Sequence, residues 1–98
     1  MPAPVFIGDE VTAVGFRLAG ASVQVPERDQ VREVFDRARQ EADLVVITAE
    51  YAGALPAGHL DEALRAIQPL VLVIPDARGN ASPPDMVQRM RAALGLEA

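Results

Sequence analysis

The residues best equipped for chemistry are two adjacent carboxylates, Asp9 and Glu10. They follow an apolar run, Val5-Phe6-Ile7, and a glycine, Gly8. Two acids at the carboxyl end of a buried strand occupy the edge where open α/β sheets bind ligands. Against them stands a bland reading: a turn residue followed by an acid at a helix N-terminus, where the helix dipole favours negative charge by roughly 0.3–1 kcal/mol. The rest of the chain gives the acids no catalytic company. His59 is the only histidine, beside the break at Pro56-Ala57-Gly58, and reads as a surface or capping residue. The chain has no Cys, so thiolate chemistry and disulfides are excluded, and with no second His a conventional His/Cys metal site is not expected. All nine basic residues are Arg. Schiff-base chemistry and a P-loop lysine therefore fall away. Ser22 and Ser82 have no catalytic signature near them, and Ser82 is better explained as a helix cap. Gly8 and Gly15 do not have the spacing of a phosphate-binding fingerprint. No catalytic residue, cofactor site or metal site is expected.

The elements that position these residues alternate in kind. Val5 to Ile7, Leu44 to Ile47 and Leu70 to Ile74 are apolar at successive positions, as in parallel strands buried on both faces. Val23-Gln24-Val25 alternates and reads as a short edge strand closed by Pro26. A first helix, roughly Thr12 to Leu18, has Val11, Val14, Leu18 and Ala19 at helical spacing and ends at Gly20. A second, roughly Asp29 to Glu41, carries the stripe Val31, Val34, Phe35, Ala38 and Ala42. Its other side pairs Arg32 with Asp36 and Glu33 with Arg37 at i, i+4, a solvated face. Tyr51 to Leu55 makes a short helical turn. Leu60, Ala63, Leu64 and Ile67 mark another short helix, stopped by Pro69. Ser82-Pro83-Pro84-Asp85 starts a last helix with Met86, Met90 and Leu94 on one stripe, and Gly95 ends it.

Strands alternating with helices predict an α/β fold with a four-stranded parallel sheet. The expected order is the flavodoxin/receiver-like 2-1-3-4, with a C-terminal helix. At 98 residues the chain is one domain, 1–98, with a sheet core over 1–76 and a loop and helix over 77–98. In that topology the first helix covers one face nearly alone. Val45/Ile47 or Leu44/Val46, and their counterparts in Leu70 to Ile74, would then stay bare on that face for the last helix or a partner to cover.

Half the residues are hydrophobic, 23% are charged and the net charge is −5. That is a globular composition without the basic patches nucleic acid requires, so no nucleic-acid partner is expected. No apolar run is long enough to insert in a membrane, and Met1-Pro2-Ala3-Pro4 lacks the basic start of a signal peptide. The expected location is cytoplasmic, in solution or held at a membrane through another protein.

Ile7-Gly8-Asp9-Glu10 followed by Gly15-Phe16-Arg17-Leu18-Ala19-Gly20 resembles the amino-terminal signature of the F subunit of V-type and A-type rotary ATPases. The likeness continues through Leu44-Val45-Val46-Ile47-Thr48 with Glu50, through Pro69-Leu70-Val71-Leu72-Val73-Ile74-Pro75, and to the closing Leu94-Gly95-Leu96. The resemblance implies a non-catalytic part of the rotor's central stalk. It would clasp the coiled-coil D subunit of that stalk and couple ATP turnover in the head to ion movement through the membrane ring, both reached indirectly. Arg17, Met86, Met90 and Leu94 are the candidate partner contacts. Phe16 is expected in the core, with Arg17 projecting outward. The alternative is a degenerate receiver-like signalling module or a small-ligand binder beside Gly8 and Asp9. A receiver domain shares the fold and an acidic pair that holds Mg²⁺. It also needs a phospho-accepting Asp where this chain has Thr48-Ala49-Glu50, a late Lys and a fifth strand, and these are missing.

Overall fold

The computed structural model describes residues 3–75. The expected C-terminal helix, with Met86, Met90 and Leu94, and the expected 1–76/77–98 division fall in or extend into residues outside the described ones.

Four strands form one parallel sheet: β1 (Val5–Ile7), β2 (Ser22–Gln24), β3 (Leu44–Thr48) and β4 (Leu70–Ile74). Their order is β2-β1-β3-β4, as the sequence predicts. Val5 lies between Ser22 and Val45, and Val45 sits beside Val71. Side chains paired this way share a face of the sheet. The helices are α1 (Glu10–Leu18), α2 (Val31–Glu41), α3 (Ala49–Ala52) and α4 (His59–Arg65). A 3₁₀ turn, Arg28–Gln30, leads into α2.

Each face has its own core. On one, Val5, Ile7, Val45, Ile47 and Val71 pack with Val31, Phe35 and Ala38 of α2, Ala52 of α3 and Ala63 of α4. Burying each large aliphatic or aromatic side chain there contributes roughly 1.5–3 kcal/mol. Val34 is half-buried at the rim and Ala42 is buried, so the α2 stripe is the one the sequence shows. On the other face, Phe6, Val46 and Ile74 pack with Ala13 and Phe16 of α1. The rings of Phe6 and Phe16 stack with centroids 4.5 Å apart. Phe16 is in the core, as expected.

The structure departs from several sequence expectations. The first helix starts at Glu10, two residues before the expected Thr12, because Asp9 rather than a later residue caps it. The stripe Val11, Val14 and Leu18 does not face the sheet: these residues are 55%, 47% and 84% exposed, and Ala19 is exposed too. Thr12, Ala13 and Phe16 are the buried positions of α1. In α4 only Ala63 is fully buried; Leu64 is exposed, and Ile67 lies beyond the helix, which stops at Arg65. The face under α1 is less bare than the topology suggests, since Val46 and Ile74 are buried. Openness persists at the other end of the strands, where Leu44 is half-buried and its neighbour Leu70 is exposed.

Candidate functional surface

The β1–α1 turn fixes how α1 lies. Gly8 is the one residue between the strand and the cap. A Cβ there would sit 2.5 Å from Phe6 Cζ and 2.6 Å from Thr48 Cγ2, so the close approach requires glycine. Asp9 then caps α1: its Oδ2 accepts from the Thr12 backbone N–H at 3.0 Å, and its Oδ1 accepts from the Thr12 hydroxyl at 2.7 Å. Together the short turn and the cap set the rotation of α1. They bring Thr12, Ala13 and Phe16 onto the sheet and turn Val11, Val14 and Leu18 away. At the other end Gly20, at φ 96°, closes a Schellman motif, with Gly20 N–H donating to the Arg17 carbonyl and Ala21 N–H to that of Phe16.

The acidic pair therefore divides. Asp9 is buried and both its oxygens serve Thr12. Glu10 is exposed and forms an ion pair with Arg17 at 3.2 Å across the outside of α1. Arg17 projects outward, as expected, and is half-exposed. At the end of β3, Thr48 Oγ1 accepts from the Tyr51 N–H at 3.5 Å and caps α3. The carboxyl edge of the sheet is thus used largely to start helices. Among the described residues, no group of three His, Cys, Asp or Glu residues could hold a metal ion. A shallow cleft of about 250 Å³ lies between the 3₁₀ turn and α3, lined by Pro26, Glu27, Arg28, Val31, Glu50 and Tyr51, among others. It is below the usual size of a small-molecule pocket, roughly 300–1,000 Å³, and two larger depressions of about 390 and 360 Å³ lie open along the charged side of α2. Neither Gly8 nor Asp9 lines the cleft.

His59 does more than the surface or capping role its sequence position indicates. Its Nε2 is 2.7 Å from Asp36 Oδ1, and its ring lies 5.9 Å from that of Phe35. It ties the start of α4 to the middle of α2. No local spacing could reveal a partner 23 positions away. On α2, Glu33 and Arg37 pair at 3.1 Å and Arg32 and Asp36 at 3.9 Å, the solvated face that the sequence predicts.

Among the described residues, the outer side of α1 carries three of the exposed large apolar side chains on a single helix. Val11, Val14 and Leu18 follow one another at i, i+3 and i+7, opposite the buried Thr12, Ala13 and Phe16. Gly15 lies beside them, and beyond its chain neighbours and the helix backbone no atom of the described residues comes within 4 Å of the position a Cβ would take. Of the expected contact residues, Arg17 borders this stripe, while Met86, Met90 and Leu94 are outside the described residues.

Comparison with known families gives a match that takes in the described sheet and continues past it. The family model of the ATP synthase (F/14-kDa) subunit matches residues 5–91. No individual curated protein matches the chain.

Proposed function

The chain belongs to the ATP synthase (F/14-kDa) subunit family, the F subunits of V-type and A-type ATPases, and from that premise we propose that it is a non-catalytic part of the central stalk. In this role it binds the coiled-coil D subunit of the stalk. It turns with the rotor and couples ATP turnover in the head to ion translocation through the membrane ring. It touches head and ring through other subunits and works at the cytoplasmic side of the membrane. No helix among the described residues is long and apolar enough to cross a membrane.

The observation that carries this reading is the reach of the family match, from the first residue of β1 to residue 91. It spans all four strands and the segment containing Met86 and Met90. A rotor part has to transmit torque without deforming, and a sheet with a packed core on each face suits that task. The grip on the coiled coil is proposed to involve Arg17 together with Met86, Met90 and Leu94. Methionine suits an adaptable apolar contact. The last helix expected from the sequence is short enough to need a docking surface, since isolated helices under roughly 12–15 residues are marginal in water.

Co-expression with the coiled-coil stalk subunit of the same ATPase tests the proposal. The two chains should co-purify as a stable pair, and deleting everything after Arg78 should leave a folded sheet with sharply weaker binding. Failure of the full chain to associate with the coiled coil would contradict the assignment. Undiminished binding by the shortened chain would remove Met86, Met90 and Leu94 from the grip.

A further inference from the structure

We infer that the outer stripe of α1, Val11, Val14 and Leu18, is a seat for an apolar-striped α-helix of another subunit. The inference rests on the assignment of the chain to a rotary ATPase complex and adds to it a specific face of the fold.

Four observations bear on the occupant. The stripe is a convex ridge, not a concavity, so it does not suit a small ligand. Its spacing, i, i+3 and i+7 with Gly15 at i+4 from Val11, is that of one helix packing along another. Gly15 adds no bulk there, so a second backbone can come close. The flanking charges, Glu10 and Arg17, are paired with each other at 3.2 Å. The border of the stripe is therefore locally neutral and leaves apolar shape as the basis of recognition. This contrasts with the −5 charge of the whole chain.

Area decides between a second copy and a different subunit. Three side chains on a helix of nine residues fall far short of the roughly 800 Å² per partner in a standard stable interface. Two such stripes facing each other would not hold a dimer. The same stripe is adequate as one portion of a larger contact, and membership of a multi-subunit complex provides one.

The test uses the full chain. Because it has no native Cys, Leu18→Cys accepts a single benzophenone crosslinker, and Arg37→Cys on the outer side of α2 serves as control. In the reassembled ATPase, illumination should join position 18 to a helix of another subunit, at apolar positions three or four apart, and join position 37 far less. Separately, the triple variant Val11→Gln, Val14→Gln, Leu18→Gln should keep the melting behaviour of the parent and bind the coiled-coil stalk subunit about a hundredfold more weakly. Crosslinking to that coiled coil supports both the stripe and the assignment of its partner. Capture of a helix from a different subunit, with no binding of the parent chain to the coiled coil, keeps the stripe and removes that partner. No crosslink from position 18 in a complex that contains the chain overturns the inference. So does a crosslinked homodimer of the isolated chain, or a triple variant that unfolds.

Discussion

Helices α1 and α2 lie on opposite faces of one sheet, and both bury an aromatic ring against it: Phe16 under α1 and Phe35 under α2. Their outer sides differ in kind. On α2 the outside is a lattice of charges, with Glu33–Arg37 and Arg32–Asp36 ion pairs. On α1 it is Val11, Val14, Gly15 and Leu18, with the Glu10–Arg17 ion pair at the border. A helix with water for a neighbour loses little by carrying charge on its outer side. One that exposes Val, Val and Leu at helical spacing presents surface that water solvates poorly, and such patches mark contacts. Scattered exposed apolar residues need no explanation, but three on one ridge opposite the core do.

That comparison can be probed by substitutions of decreasing effect. The largest concerns the core under α2. Phe35 is completely buried, and Phe35→Ala should cost about 3–5 kcal/mol in urea unfolding. Phe16→Ala should cost less, because Phe16 is 8% exposed and, among the described residues, belongs to the smaller of the two clusters. Equal losses would mean that the two faces contribute alike and that α1 is as firmly seated as α2.

Next comes the turn that rotates α1. Gly8→Ala should destabilise by about 1–3 kcal/mol, since the new methyl collides with Phe6 and Thr48 in a packed interior. An unchanged melting temperature would show that the turn relaxes freely and does not fix the rotation of α1.

The helix cap follows. Asp9→Ala should cost about 1 kcal/mol. Asp9→Asn should cost less, since Asn also caps well, and should leave assembly with the stalk partner intact. If Asp9→Asn instead abolished an activity of the isolated chain, the acidic pair would have a chemical role after all.

The smallest expected effect is on stability at Arg17. Its pair with Glu10 is solvent-exposed, so Arg17→Gln should change stability by no more than about 0.5 kcal/mol. Binding to the proposed coiled-coil partner should nonetheless weaken, because the substitution leaves Glu10 as an uncompensated charge at the border of an apolar contact. Parallel losses of stability and binding would make Arg17 structural only.

The fold was readable from sequence where burial is strongest. Apolar runs at Leu44 to Ile47 and Leu70 to Ile74 specify strands, and the α2 stripe specifies which side of that helix meets them. The α1 stripe misled because helical periodicity shows that apolar residues share a side without showing which side faces the core. On α1 the deciding residues are Ala13, whose small side chain permits close contact, and Phe16, which finds Phe6. Neither continues the stripe. His59 eluded sequence reasoning for a related reason: its partners on α2 are brought to it only by the tertiary fold. Arg17 could be placed correctly because one residue advances roughly 100° around a helix, which turns the position after a core phenylalanine off the sheet.

The central contrast is that α1 turns an outer face toward a neighbour while α2 turns one toward water. The most direct measurement is a paired titration of the coiled-coil stalk subunit with two triple variants of the full chain. One carries Gln at Val11, Val14 and Leu18; the other carries Gln at Arg32, Glu33 and Arg37. Both should fold, with melting temperatures close to that of the parent. Affinity should fall about a hundredfold for the first and change less than about threefold for the second. Equal loss in both, or loss only in the second, would contradict the claim.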